Sequence, residues 1–343
     1  TATGALLKEL PTQSQPITSI AFANDGSTLL TGQGSPNAPT EAGRVALWDW
    51  RGARELKARP EPSFVRTIAF SPDRKRLVTA GGDGVARIYD AASLELLARL
   101  EGHTQSLGSA NWSPDGTRIV TASFDYRACV WKVDALVTGA VLKQTERCVL
   151  HDHRVYSAVF TASGAQILTA SGDKMAKIWD VASGKNVRTF YGRDHDFRAA
   201  RLIARDTLML TTSNDFTVRL WDVPRGRDVA ELRYREGLIN TIALDPSESR
   251  LLTTATDGTA RIWRLFPPSA TADLAEAAGR EVRRCLSPLQ RDALRGAFAI
   301  ERPGARAWCK GKIDGEAPDA APRPPATAAE APPTETPAAA VPR

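Results

Sequence analysis

The run MAKIWDV, residues 175–181, decides how this chain is read. It alternates in the manner of a half-buried strand and closes on an aromatic followed by an acid and a β-branched residue. Five further segments close alike: RVALWDW (44–50), VARIYDA (85–91), RACVWKV (127–133), TVRLWDV (217–223) and TARIWRL (259–265). Their aromatics are Trp48, Tyr89, Trp131, Trp179, Trp221 and Trp263, and successive ones lie 41, 42, 48, 42 and 42 residues apart. A period of that size marks a repeat architecture, in which each unit buries its apolar face against its neighbours.

Working outward from the aromatic, each period holds two earlier strand-like runs. The first is ITSIAF (17–22), VRTIAF (65–70), LGSANW (107–112), VYSAVF (155–160), FRAARL (197–202) or INTIAL (239–244). Turns rich in Ser, Pro, Asp and Gly follow it, and then a second run such as LVTA (77–80) or ILTA (167–170). After the aromatic, stretches such as DVASGKNVRTF (180–190) supply a turn and a fourth strand. Four short strands every ~40–45 residues make a propeller blade.

On these residues the chain resembles the WD-repeat (Trp-Asp repeat) β-propeller family, over roughly residues 1–265. The resemblance implies an all-β ring of four-stranded blades used mainly as an interaction platform. Six blades are predicted in residues 1–266, the alternative being part of a propeller of seven or more. A short helical appendage is predicted over 267–312, and a disordered Ala- and Pro-rich tail over 313–343.

Composition narrows the function classes. The 343 residues carry a formal charge of +6, and 42% are hydrophobic. No apolar run approaches the ~18 residues of a membrane span, so none is expected in this chain. A mild positive charge spread over this length does not by itself point to nucleic acid. Four cysteines, Cys129, Cys148, Cys285 and Cys309, form no C-x-x-C pair, and four histidines are few for a metalloenzyme. No metal, cofactor or small-molecule substrate is expected.

A threonine recurs ten residues before the aromatic in five repeats, with an aspartate four residues after it. Two repeats add a histidine, His103 and His151. In the family such residues form a buried hydrogen-bond relay, which gives His103, Thr121, Asp125 and Trp131, and His151, Thr169, Asp173 and Trp179. Ser123 or Ser171 are alternative sources of the hydroxyl. Gln13, Glu61, Arg193 and Arg235 stand at the histidine position elsewhere, so those relays are expected to be incomplete. A catalytic triad is the wrong reading, because a catalytic set occurs once in a cleft and this one recurs with the period of the fold.

The resemblance also implies three outward positions per blade on one face of the ring. Mapped residue by residue, they give a partner-binding face of Phe64, Arg66, Phe124, Arg154, Tyr156, Asp196, Arg198, Asn214 and Asn240, with Gly82, Ser106, Gly108, Gly172, Leu238 and Thr256 at the remaining positions. Aromatics and arginines are enriched at binding hot spots. The expected partner is therefore a protein or peptide bearing acidic groups, bound on the loop-rich face. Nucleic acid on the basic surface, or an enzyme in the central channel, are the competing readings.

The first blade departs from the pattern through GQGSPNAPTEAG (32–43), an enlarged loop that is either a recognition element or a tolerated insertion. The long period before Trp179 falls in VDALVTGAVLKQTERCVL (133–150) and is expected to lengthen a connection on the opposite face. TATGALLKEL (1–10) aligns with the fourth-strand segments. Ala5–Leu10 is expected to complete the sixth blade and close the ring, the alternative being a longer propeller.

The segment RRCLSPLQRDAL (283–294) with its later Trp308-Cys309-Lys310 resembles an appendage of bacterial WD-repeat proteins, which often follow a signalling or protease module. An upstream effector module and a cytoplasmic setting are therefore expected. An extracytoplasmic one would follow if Cys285 and Cys309 form a disulfide.

Overall fold

A computed structural model describes residues 10–264 apart from 12–14, 23–25, 27, 39–40, 135–137, 144, 193–194, 234–238, 245–247, 249 and 257–259. Residues 1–9, the segment 267–312, the tail 313–343 and the Cys285 and Cys309 pair lie outside the described residues, as do Gln13, Arg193 and Arg235.

The chain folds into the six blades of an all-β propeller, with strands in chain order within each. Blade one comprises Ile17–Phe22, Thr28–Gln33, Gly43–Asp49 and Arg54–Glu61. Blade two holds Val65–Phe70, Arg76–Gly81, Ala86–Asp90 and Leu96–Leu100, and blade three Leu107–Trp112, Arg118–Ser123, Arg127–Lys132 and Arg147–Leu150. Blade four is Val155–Phe160, Gln166–Ser171, Met175–Asp180 and Asn186–Tyr191, and blade five Phe197–Ile203, Leu208–Ser213, Thr217–Asp222 and Arg227–Arg233. Ile239–Leu244, Arg250–Ala255 and Ala260–Arg264 form blade six.

Local chemistry closes the first hairpin of blades two, three and four. The hydroxyls of Ser71, Ser113 and Thr161 exchange hydrogen bonds with the backbone of Arg76, Arg118 and Gln166, five residues on. Ser113 also donates to Asp115, and with the Thr117 amide it holds that carboxyl down at about 2.

Packing between blades repeats with the period. Leu30 and Leu47 of blade one meet Val65, Ile68 and Leu77 of blade two, and Val120 and Val130 of blade three meet Val155 and Ile167 of blade four. The same layering joins blades two to three, four to five and five to six. Inner-strand hydroxyls stitch neighbours together as well: Ser19, Thr67 and Ser109 accept from the backbone N–H of Ile68, Ala110 and Ala158 in the next blade.

The joint between blades six and one differs. Ile262 is 69% exposed and Leu252 37%, whereas their counterparts Ile88, Val130, Val78 and Val120 are all at 0%. Across the joint, Ile20 and Phe22 of blade one are 56% and 54% exposed. Leu10 packs instead on Leu29, Ala46 and Trp48, the face of blade one that looks toward this joint. No cluster of buried apolar residues joins these two blades among the described residues.

Two departures from the sequence expectation lie in residues 133–150. This segment does not merely lengthen a connection: Ala140–Leu142 pairs in parallel with Leu96–Leu100 and becomes a fifth strand on the outer edge of blade two. That covers an edge otherwise open to strand addition. Cys148, on the fourth strand of blade three, lies opposite Cys129 and is bonded to it as a disulfide. C-x-x-C spacing could not reveal this pair, because strand register brings the two sulfurs together across 19 residues.

Candidate functional site

The inner strands build the site. In each blade the pairing slips by one residue near the start of this strand, as between Val65 and Thr67, Val155 and Ser157, or Phe197 and Ala199. Such a bulge leaves one residue outside the ladder and re-aims its side chain. The residues skipped in blades two to five are Arg66, Gly108, Tyr156 and Arg198, and in blade six it is Asn240, whose side chain is outside the described residues. A backbone hydrogen bond then ties each neighbouring turn to the loop before the strand: Gly82 to Phe64, Phe124 to Ser106, Gly172 to Arg154 and Asn214 to Asp196, at 2.9–3.1 Å.

On this frame aromatic and guanidinium groups alternate. The Arg66 guanidinium carbon lies 5.0 Å from the Phe64 ring centre and 4.9 Å from that of Phe124. Phe124 meets Tyr156 edge to face at 5.4 Å, and Arg198 lies 4.4 Å over Tyr156. Arg154 approaches Phe124 at 5.3 Å. Distances in this range are attractive cation–π contacts. The Tyr156 hydroxyl reaches Asp196 at 3.4 Å, and Arg198 Nε donates to Asn214 Oδ1 at 2.7 Å. Eight of the nine sequence-predicted face residues therefore converge, each through contact with another of them.

Phe64 is a correction. It is 1% exposed and cannot anchor a partner from an open loop. Its ring fills the space left by Gly82, where a Cβ would come within 2.2 Å, and a Cβ at Gly34 (φ +131°) would come within 2.5 Å of Phe64 Cβ and 2.6 Å of its Cα. The enlarged blade-one loop thus seats on Phe64, with Gly43 against Ser63 and Phe64.

Sequence reasoning passed over Tyr126, His153 and Phe216. Tyr126 and Phe216 follow the turn aspartates with φ of 74° and 64°, a conformation that side chains of this size rarely adopt, and both rings are exposed. Tyr126 stacks on His153 at 5.8 Å with ring planes 14° apart. The signal was an aromatic at a turn position that ordinarily takes glycine, as Gly84 does in blade two at φ 80°.

Beneath the face run the buried relays. His103 places Nδ1 2.8 Å from Asp125 and Nε2 2.7 Å from Thr121 Oγ1, which also accepts from Trp131 Nε1 at 2.9 Å. His151 spans Asp173 and Thr169 at 2.6 and 2.7 Å, and Trp179 donates to Thr169 at 2.8 Å. Ser123 and Ser171 serve elsewhere: they donate to loop carbonyls and accept the amides of Asp125 and Asp173. Burial would raise both carboxyls, but hydrogen bonds and charge from the histidines hold them well down, Asp173 at about 2.

The relay of blade two, expected to be incomplete with Glu61 at the histidine position, is instead a network of different groups. Tyr89 donates to Glu61 Oε1 at 2.5 Å, Thr79 reaches the same oxygen at 3.4 Å, and Arg87 joins Glu61 (3.3 Å) to Asp83 (2.5 Å). In blade five, Arg219 likewise joins Asp215 to Glu231 while Trp221 donates to Thr211. No group of three His, Cys, Asp or Glu side chains suited to a metal occurs among the described residues, nor does any helix long and apolar enough to cross a membrane.

Comparison with known proteins gives the same repeat. A family model described as WD domain, G-beta repeat matches residues 4–49, 54–90, 94–132, 144–180, 184–222 and 227–264. Guanine nucleotide-exchange factor SEC12 of Rattus norvegicus is 36% identical over 73 residues, 21% of this chain and 17% of that protein. WD repeat-containing protein 1 of Xenopus tropicalis is 39% identical over 75 residues, 21% of this chain and 12% of that protein. The ribosome biogenesis protein WDR12 homolog of Brugia malayi is 29% identical over 114 residues, 31% and 26% of the two chains. The matched regions span about a quarter or less of each relative.

Proposed function

The chain belongs to the WD domain, G-beta repeat family, and on that premise we propose that it is a non-catalytic scaffold or sensor that holds a protein or peptide partner on the face built by the bulged inner-strand residues. The observation that carries this reading is the contact series Arg66–Phe124–Tyr156–Arg198, contributed by four successive blades. Large aromatics and arginines concentrate binding energy when a partner desolvates them. The backbone ties between loops and turns hold the face in place before any partner arrives.

The placement in a bacterial signalling protein, behind an effector module, rests on the RRCLSPLQRDAL resemblance alone, and the relatives named above are animal proteins. For the compartment, the Cys129–Cys148 bridge supports an oxidising one over the cytoplasm, because disulfides persist where thiols are not kept reduced.

The test is affinity capture with the wild type and with Phe124→Ala/Tyr156→Ala from the same lysate. Partners should be lost from the variant while its melting temperature stays close to wild type. Retention of every partner would refute the face.

A further inference from the structure

The two fully buried arginines among the described residues are answered by two carboxylates each. Arg87 pairs with Glu61 and Asp83, and Arg219 with Asp215 and Glu231. Arg66, half-buried, has no carboxylate at all among the described residues. Its Nε is buried without a hydrogen-bond partner, and among the described residues it forms no ion pair. Only ring faces meet it, those of Phe64 and Phe124. Burial and the positive charge of Arg198 push its pKa down to about 10, so the two guanidinium groups feel one another.

Arg198 and Arg154 are likewise without a carboxylate partner among the described residues. Arg198 spends Nε on the neutral Asn214, and Asp196 is engaged by the Tyr156 hydroxyl. Ser106 Oγ, at the first outward position of blade three, is also buried without a partner. A buried N–H with no acceptor, as at Arg66 Nε, is costly, and an incoming oxyanion that accepts from the guanidinium offsets that cost.

Resting on the interaction face proposed above, we propose that this mouth captures a single oxyanion of the partner, the carboxylate or phosphoryl group of an acidic side chain, between Arg66 and Arg198. A planar guanidinium with free N–H groups suits either oxyanion. Phe124 and Tyr156 lie between the two cations and set their spacing. Nucleic acid fits less well. Sequence-tolerant strand binding needs open aromatic faces on which bases stack, and here arginines take those faces.

The experiment follows arginine Nε–Hε cross-peaks of the full chain during titration with inorganic phosphate and, separately, with N-acetyl-glutamate amide. Wild type should show saturable, single-site shifts of the Arg66 and Arg198 peaks. Arg66→Gln/Arg198→Gln should weaken binding by about tenfold or more, with Arg66→Lys as the milder variant should the double one fold poorly. Tighter binding of phosphate assigns a phosphoryl group, and tighter binding of the glutamate amide a carboxylate. The clamp is overturned by absent shifts in wild type, or by equal affinity in the arginine variants. A uridine oligonucleotide that binds more tightly than either probe, and needs both arginines, would overturn the assignment to an acidic side chain. If Phe124→Ala/Tyr156→Ala loses its partners while Arg66→Gln/Arg198→Gln keeps them all, the clamp falls and the interaction face stands.

Discussion

The Tyr89 hydroxyl donates to Glu61 Oε1 at 2.5 Å, so blade two joins these residues where blades three and four join a tryptophan to a histidine through threonine. Glu61 is 3% exposed and shares its charge with Arg87. Removing Glu61 leaves Arg87 to Asp83 alone and takes the acceptor from the buried Tyr89 hydroxyl, so Glu61→Ala should cost about 1–3 kcal/mol. Tyr89→Phe removes one donor and should cost about 1–2 kcal/mol. Urea unfolding measures both, and a loss under about 0.5 kcal/mol for Glu61→Ala would show that the network contributes little.

The relay in blade four makes the fold acid-labile in a defined window. The Asp173 carboxyl titrates at about 2 when folded, against about 3.9 in an unfolded chain. A depressed folded value favours the charged form, so this contribution is complete above about pH 4 and fades as pH falls toward 2. Asp173→Asn should lower stability by about 2 kcal/mol at pH 6, and the gap to wild type should narrow as pH drops from 4 to 2. A gap that stays constant over that range would contradict the linkage.

The disulfide gives a redox-dependent prediction. Closing a 19-residue separation should stabilise by about 3 kcal/mol through the unfolded state. Cys148→Ser should therefore unfold earlier than wild type in non-reducing buffer. Both proteins should unfold together once dithiothreitol is added, and a difference that survives reduction would point to packing instead.

Equivalent positions should respond unequally to truncation. Ile88→Ala empties a fully buried site and should cost about 2–5 kcal/mol. Ile262→Ala removes a side chain that is 69% exposed and should change stability by under about 0.5 kcal/mol. Similar losses at both sites would show that blade six packs its Ile262 face as the other blades pack theirs.

The periodic features were legible without coordinates, because every copy repeats the same demand for a turn, a threonine and an aromatic. Trp48, Trp131, Trp179, Trp221 and Trp263 each donate to the threonine of their own blade. What escaped depended on register between strands or on exchange of roles. Cys129 and Cys148 meet only once the last two strands of blade three are aligned. The Glu61 network hides because an acid stands where the histidine would and Tyr89 where the tryptophan would, with Arg87 bridging to the turn aspartate Asp83. Phe64 reads as an exposed aromatic until the glycines at 34, 43 and 82 are placed against it.

The strand Ala140–Leu142 leaves its own blade and lies along Leu96–Leu100 of the one before. Its backbone bonds also take in Gly139 to Leu97 and Glu101 to Leu142. Sequence divides the chain into single repeats, but a graft of blade three alone into another propeller would carry a strand with nowhere to dock. Taking blade two alone would strip its outer edge. For transplantation and recombination the smallest transferable module here is the pair, and a crossover between Leu100 and Ala140 should yield misassembled chimaeras.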